Sequence, residues 1–327
     1  MDSITADLLV IGFGKGGKTL AATMGRRGSR VVMVEQSPDM YGGTCINVAC
    51  VPTKALIHDA ARRPAGSEPE AWYGRSVDRK DAITGAMRSA NFSMLDTLDT
   101  VTVVTGRASF VGPRAVSVIA GSDELRIDAD TIVINTGSLP RTPSIPGAHE
   151  SHRVHTSTSM LERRSLPRRL AIVGGGYIGL EFASMYRGFG SEVTILESGP
   201  AILRREDDDV AEAVRQVLDD SGIRIVTGAS ATGISEAADE VTVSYSRGGT
   251  EESLTADAIL LAVGRAPDTH GLALDAAGVE LDARGAVVVD EYLRTTAEGV
   301  FAVGDVNGGP QFTYISLDDY RIVLDRL

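Results

Sequence analysis

The chain has 327 residues, enough for two domains with separate cores, and its 43% hydrophobic, 23% charged, glycine-rich composition is that of a folded globular protein. A net charge of −12 argues against a general affinity for nucleic acid or an anionic membrane surface. No apolar run reaches the roughly 18 residues that span a bilayer, and the acidic N-terminus enters a strand at once instead of a signal peptide, so a cytoplasmic location is expected.

Residues 7–35 read as strand, glycine loop, helix and strand: DLLVIG, then Gly12-x-Gly14-x-x-Gly17, then RVVMVE ending at Glu35, 23 residues after Gly12. In such a unit the glycines admit a pyrophosphate to a helix N-terminus, and the acid bonds a ribose hydroxyl. The same residues, GFGKGGKT, also fit the phosphate loop of ATP and GTP hydrolases, with Lys18 on the phosphates and Thr19 on Mg²⁺. That reading needs an Asp at a strand end, and none stands out, whereas Glu35 lies where the dinucleotide reading needs it.

The only two cysteines, Cys45 and Cys50, follow in GGTCINVACVPTK. In a regular helix, residues five apart are separated by roughly 7.5 Å along the axis, too far for a disulfide. The pair closes only on irregular backbone, which Gly42-Gly43 and Pro52 are expected to supply. A helix beginning near Thr44 would point N–H groups at the sulfurs and favour the thiolate. The plain alternatives are two inert thiols or half a metal site with His58. The latter lacks further ligands at plausible spacing, so no metal site is expected.

A polar, helical stretch is expected from about 53 to 98, then short strands (VTVVTG, RASFVG, RAVSVI, LRID), TIVINTGS, and a Pro-rich turn from Leu139 to Gly147 that reads as a domain boundary. Residues 170–197 then repeat the first pattern: LAIVGGG with Gly174-x-Gly176-x-x-Gly179, a helix, and EVTILE ending at Glu197, again 23 residues after Gly174. One glycine fingerprint is weak evidence; two copies with equal spacing are strong evidence for two dinucleotide-binding units. Asp207-Asp208-Asp209 reads as a helix start. Strands IRIV, EVTVSY and AILLAVG, the last ending at Gly264, follow. The tail GVFAVGDVNGG is expected to return to the first domain. The predicted fold is α/β, with two Rossmann-like dinucleotide-binding domains, the second inserted into the first: 1–147, 148–284 and 285–327.

GGTCINVACVPTK resembles the active-site signature of the class I pyridine nucleotide-disulfide oxidoreductases, which include lipoamide dehydrogenase, glutathione reductase and mercuric reductase. IGFGKGGKTLA, VEQSPDMYGGTCIN and QFTYISLDDYRIV are most similar to the mercuric-reductase-related flavoproteins associated with reactive chlorine resistance and metal-ion reduction. The resemblance covers essentially the whole chain, and the dithiol signature is its specific part. It implies that Gly12, Gly14, Gly17, Glu35, Gly43, Thr44, Thr136, Gly137 and Asp305 bind FAD. Gly174, Gly176, Gly179, Glu197 and Gly264 would bind NAD(P)H, with Tyr177 covering the nicotinamide pocket. Lys54 and Glu181 match a charged pair beside the flavin ring, where opposite charges survive desolvation better together than singly.

The implied reaction carries a hydride from the nicotinamide to the flavin and electrons on to a Cys45–Cys50 disulfide. Cys50 would lie against the flavin, Cys45 would attack the substrate, and the protein would supply orientation and electrostatics. A carboxylate at Glu197 suits a free 2′-hydroxyl and repels a 2′-phosphate, so NADH is expected over NADPH, although Arg204 and Arg205 could offset that repulsion. The terminal oxidant is left open among small disulfides, Cu(II), Hg(II), lipoamide and quinones.

Three features depart from the resemblance. Ala49 stands where the family usually has Gly. Full-length relatives homodimerise through a further domain that donates a His acid/base. The chain is expected to lack it, because none of His58, His149, His152, His155 and His270 has a matching context. No second cysteine pair is present. Rival readings are a thioredoxin-reductase-like enzyme, whose dithiol spacing and placement differ, a disulfide-independent NADH reductase, and a non-catalytic nucleotide-binding remnant.

Overall fold

The computed structural model describes residues 2–327. In chain order the elements are β1 (Asp2–Ile11), α1 (Lys15–Arg26), β2 (Val31–Glu35), α2 (Thr44–Asn47), α3 (Cys50–Ala61), α4 (Pro69–Asp96), β3 (Val101–Thr105), β4 (Arg107–Gly112), β5 (Ala115–Ala120), β6 (Asp123–Ile134) and β7 (Ser138–Pro140). They continue with β8 (Val154–Thr156), α5 (Ser157–Glu162), β9 (Arg169–Val173), α6 (Tyr177–Phe189), β10 (Glu192–Glu197), α7 (Asp208–Asp220), β11 (Arg224–Thr227), β12 (Ala229–Glu236), β13 (Val241–Arg247), β14 (Thr250–Ala256), β15 (Ala258–Leu261), β16 (Arg265–Pro267), β17 (Val300–Ala302) and α8 (Thr313–Leu324). Contacts gather the chain into two compact units. One holds the stretch ending at Asn47 with Thr84–Leu139 and Ala266–Leu327, the other Val48–Ile83 with Pro140–Arg265.

The first unit is built on a seven-stranded sheet, ordered β3-β2-β1-β6-β5-β4, with β17 also on β6. β1 pairs in parallel with β2 and β6, and β17 continues the parallel part along the end of β6. Both faces of the central strands are buried, which is why they read as unbroken aliphatic runs. Leu9, Ile11, Val32, Val34, Ile132 and Ile134 enter one cluster, while Leu8, Val10, Val31, Met33 and Val133 enter the other with Phe13 and Leu20.

The second unit repeats this logic on a five-stranded parallel sheet, β11-β10-β9-β15-β8. Leu170, Ile172, Val193, Ile195 and Leu260 pack with Phe182 and Tyr186 of α6; Ala171, Val173, Leu196, Ile259 and Leu261 share a core with the antiparallel sheet β12-β13-β14.

The two doubly wound units and the returning tail are as the sequence predicts. The division of packing falls elsewhere than 147/148 and 284/285, for a visible reason. Leu56, Ala60, Tyr73 and Val77, on α3 and α4, are buried in one cluster with Phe182, Tyr186 and Phe189 of α6. After β15 the chain leaves at once, and Leu272, Leu274, Ala277 and Val279 complete the first unit's core. Asp207 caps α7, with Asp208 and Asp209 in its first turn, where carboxylates face the positive end of the helix. Among the described residues no helix is long and apolar enough to cross a membrane.

Candidate functional site

In the first unit, β1 ends in a loop that turns into α1, whose N-cap is Gly14 with no side-chain cap. Gly12 has φ +101°, and a Cβ there would sit 2.4 Å from the Asn135 carbonyl oxygen, so only glycine fits. Glu35, at the end of β2, is 7% exposed and accepts from the Phe13 N–H at 2.9 Å and the Ser37 N–H at 3.3 Å. Burial pushes its carboxyl above the ordinary range. The other predicted residues of this site converge. A Cβ on Gly43 would lie 2.7 Å from Gly14 Cα, and one on Gly137 would lie 3.9 Å from Thr44 Oγ1. Thr136 Oγ1 donates to the Asp268 carbonyl at 2.6 Å, and Asp305 accepts from Ser138 Oγ at 2.6 Å.

Three residues that the sequence reading passed over hold this arrangement. Asn135 Nδ2 donates to the Gly12 carbonyl at 2.8 Å, and its side chain occupies the space that a Cβ on Gly14 or Gly17 would need. Ser316 Oγ accepts from Gly16 N–H at 3.1 Å, and buried Asp319 accepts from Gly304 N–H at 2.7 Å beside Asp305. Asn135 had a readable signal, a polar residue closing the apolar strand TIVI. Ser316 and Asp319 lie in the stretch QFTYISLDDYRIV that carried the resemblance, but their contacts come from α8 folding back beside α1, which no spacing announces.

The cysteine segment is irregular, but not where the sequence analysis put the break. α2 ends at Asn47 and α3 begins at Cys50, so the interruption is Val48-Ala49, between the cysteines. Gly42 and Gly43 (φ +97° and +79°) shape the turn before Cys45. Pro52 lies in the first turn of α3, where a missing N–H leaves no helical bond unmade. Cys50, the first residue of α3, is exposed and Cys45 is half-buried. Lys54, one turn along α3, is ion-paired to Glu181 of α6. Cys50, Val51, Lys54, Ala55, His58, Arg79 and Ile83 line a shallow, open depression of about 420 Å³. Among the described residues no group of three or more His, Cys, Asp or Glu side chains is placed to hold a metal ion.

The second unit repeats the first loop at its leading glycine and departs from it at the third. Gly174 has φ +114° and would place a Cβ 2.4 Å from the Ala262 carbonyl oxygen; a Cβ on Gly179 would lie 2.1 Å from the Gly174 carbonyl oxygen. Glu197 closes β10 and accepts from Gly175 N–H and Gly199 N–H, each at 2.7 Å. Unlike their counterparts, Gly176 and Gly264 face open space, with nothing within 4 Å of an added Cβ. Tyr177, half exposed, is bonded to Glu206 and lies one turn before Glu181 on α6. The Arg204 guanidinium lies against Gly199, beside Glu197. Gly176, the N-cap of α6 in the loop bonded to the strand-end carboxylate of Glu197, suits a dinucleotide diphosphate.

Two mononucleotide-type units, each with a glycine turn locked to its own strand-end acid, and a cysteine pair leading into α3 define a nucleotide-dependent redox protein. The profile of the pyridine nucleotide-disulphide oxidoreductases matches residues 6–319, and the chain belongs to that family. Over 319 residues it is 44% identical to the probable pyridine nucleotide-disulfide oxidoreductase RclA of Escherichia coli (strain K12), covering 98% of this chain and 70% of that protein. It is 32% identical over 327 residues to a mercuric reductase of Staphylococcus aureus, of which it spans 58%. A structure described as the Cu(II) complex of HOCl-induced flavoprotein disulfide reductase RclA from Escherichia coli superposes with a TM-score of 0.93 at 44% identity, over 99% of this chain and 71% of that one. The family couples NAD(P)H to disulfide-type redox chemistry through FAD, and that is the class of oxidoreductase to which the chain belongs.

Proposed function

We propose that the chain carries the two nucleotide sites and the redox dithiol of a cytoplasmic NADH-dependent flavoprotein reductase, whose oxidant is a small-molecule disulfide or a metal ion. The first loop with Glu35, Gly43, Thr44, Thr136, Gly137 and Asp305 would hold FAD. The second loop with Glu197, Tyr177 and Gly264 would hold the nicotinamide dinucleotide. When bound, the flavin supplies the two-electron relay between nicotinamide and dithiol. Cys50 is assigned to the flavin side and Cys45 to the oxidant, and the reduced pair is two thiols that close to one disulfide as two electrons and two protons leave. Full-length relatives are proposed to dimerise through a domain beyond the matched region.

The observation that carries the reading is the line from Cys50 through Lys54 to its ion pair with Glu181, and one helical turn back to Tyr177 in the second loop. It links the thiol to the nicotinamide side within one compact unit. On this reading the Lys54 ammonium, paired with Glu181, would offer a cation to a ring gaining negative charge. NADH is favoured over NADPH because Glu197 would oppose its carboxylate to a 2′-phosphate.

The test is anaerobic titration with NADH, followed in the visible spectrum. A long-wavelength thiolate–flavin charge-transfer band at two electrons per flavin is expected. Cys50→Ser should abolish the band and the turnover while FAD stays bound. Unchanged turnover in that variant would mean that the cysteines are dispensable.

A further inference from the structure

We infer that Lys18 is a positioning residue for the redox thiol Cys45: its buried ammonium holds the turn before Cys45 and stabilises the Cys45 thiolate. The inference deepens the proposed function and rests on the assignment of Cys45 as the thiol that attacks the oxidant.

Lysine on a surface helix ordinarily runs its stem along apolar surface and leaves its head in water. Lys18, four residues into α1, is 6% exposed. A buried ammonium needs hydrogen bonds and, in low dielectric, a counter-charge. Its Nζ donates to the Gly42 carbonyl at 3.1 Å and to Asn91 Oδ1 at 2.5 Å. Both acceptors are neutral, and among the described residues no carboxylate pairs with it. The Asn91 amide is oriented for this contact, because its Nδ2 donates to the Met87 carbonyl at 2.7 Å.

The surroundings amplify the charge. Phe13 and Tyr41 pack with ring centroids 5.2 Å apart and Tyr41 stacks on Phe92 at 4.8 Å, and Gly42, next to Tyr41, is itself buried. The Gly42-Gly43 turn that Lys18 grips leads directly into Thr44-Cys45. Burial first, and the charge of Lys15 second, lower the Lys18 pKa to about 8, with the charge of Cys45 acting in the opposite direction. That last coupling is reciprocal: a thiolate that favours the ammonium is favoured by it. The other charges about this turn are Lys15, on the same helix, and Arg88, which bonds both Asn47 Oδ1 and the Asp39 carboxylate. Arg88 is neutralised by Asp39, so the charge left for Cys45 is positive.

The experiment exploits the cysteine count. With two cysteines in the chain, Cys50→Ser leaves Cys45 as the sole thiol. The rate of iodoacetamide alkylation against pH then reports its ionisation directly. The Cys50→Ser protein should alkylate with an apparent pKa clearly below the ordinary ~8.5. Adding Lys18→Met should raise that value by about one unit, roughly a tenfold loss of thiolate at neutral pH. Lys18→Arg in place of Met should restore most of it. Bound-flavin absorbance and a thermal melt on each variant report folding.

A Cys45 that titrates at or above the ordinary value with Lys18 intact overturns the inference, whether or not Lys18→Met folds. A folded Lys18→Met variant with an unchanged profile also overturns it. Failure of the proposed function would show separately, as loss of the charge-transfer band in the unmutated chain.

Discussion

Alanine at Gly176 and at Gly174 separates what a bound nucleotide requires from what the protein itself requires. At Gly174 the backbone has φ +114°, and the new Cβ would lie 2.4 Å from the Ala262 carbonyl oxygen and 2.8 Å from its carbon. The backbone conformation costs an L-residue roughly 1–2 kcal/mol, and forcing two backbone segments apart adds roughly 1–3 kcal/mol. A loss of about 3 kcal/mol lowers the melting temperature of a domain this size by roughly 6–12 °C. Gly176 has φ −85° and ψ −179°, extended backbone open to any residue, with nothing within 4 Å of an added Cβ. Alanine there weakens the cap of α6 by about 1 kcal/mol at most, yet its methyl stands where a diphosphate would approach the helix N-terminus. Gly176→Ala should therefore melt within a few degrees of the parent while binding NADH at least roughly tenfold more weakly, a loss of about 1.4 kcal/mol. Scanning calorimetry and NADH titration calorimetry read the two effects separately. Undiminished NADH affinity in Gly176→Ala would show that this open space is not the diphosphate site, and a parent-like melt for Gly174→Ala would refute the steric reasoning.

Glu197→Gln removes the charge opposed to a 2′-phosphate while the Arg204 guanidinium remains against Gly199. The ratio of NADPH to NADH in kcat/KM should rise about tenfold, and an unchanged ratio would separate Glu197 from cofactor choice. Lys54→Met breaks the ion pair with Glu181, but Lys54 is 68% exposed, so the melting temperature should move by no more than about 1 kcal/mol's worth. Stopped-flow flavin reduction by NADH should slow nevertheless; a parent-like rate would leave the pair without a redox role. His155 is pushed down to about 4 by burial and by Arg163, whose guanidinium donates to its Nε2 at 3.2 Å. Between about pH 6.5 and 4 the unfolded imidazole binds a proton that the folded one does not, so His155 makes stability fall as pH drops through that window. His155→Gln should flatten the drop in melting temperature between pH 7 and 5, and an equally steep drop in the variant would contradict this account.

The parts legible in the sequence were those set by local chemistry. Gly12 and Gly174 are dictated by a strand end approaching from across the sheet, and the equal spacing of each to its acid made both loops visible before any coordinates. Lys54 and Glu181, 127 residues apart, were paired only through the resemblance, since neither periodicity nor spacing links α3 to α6. What escaped notice was set by tertiary return. Ser316 and Asp319 act because α8 packs on α1, and the break between the cysteines lies at Val48-Ala49, where no glycine or proline marks it. The packing boundary was misplaced for the same reason: the apolar face of α3 carries no label saying which of two sheets it will cover.

The difference between the two loops leads to a last prediction. Both share the glycine-to-carbonyl contact and the acid-to-loop hydrogen bonds, but beneath the first lies an amide side chain that bonds the loop, where the second has the aliphatic Ile202 and Ile172. Asn135 fills the space under Gly14 and Gly17 and bonds the Gly12 carbonyl, whereas its counterpart Ala262 presents only backbone. Ser316 holds a further N–H of the first loop, and Glu35 is more deeply buried than Glu197. A loop propped by its own protein loses little freedom when a ligand settles on it, so it binds tightly and releases slowly. An open loop leaves room for a nucleotide that must depart in every cycle. On the proposed assignment that is the distinction between a resident flavin and an exchanging nicotinamide. Asn135→Ala should remove one hydrogen bond, worth about 1 kcal/mol, together with the prop. Flavin should then dissociate at least roughly tenfold faster, while the KM for NADH in flavin-saturated enzyme is unchanged. Flavin release at the parent rate would place the difference in affinity outside the loop, and a raised KM for NADH would mean that the two sites are not the independent copies their geometry describes.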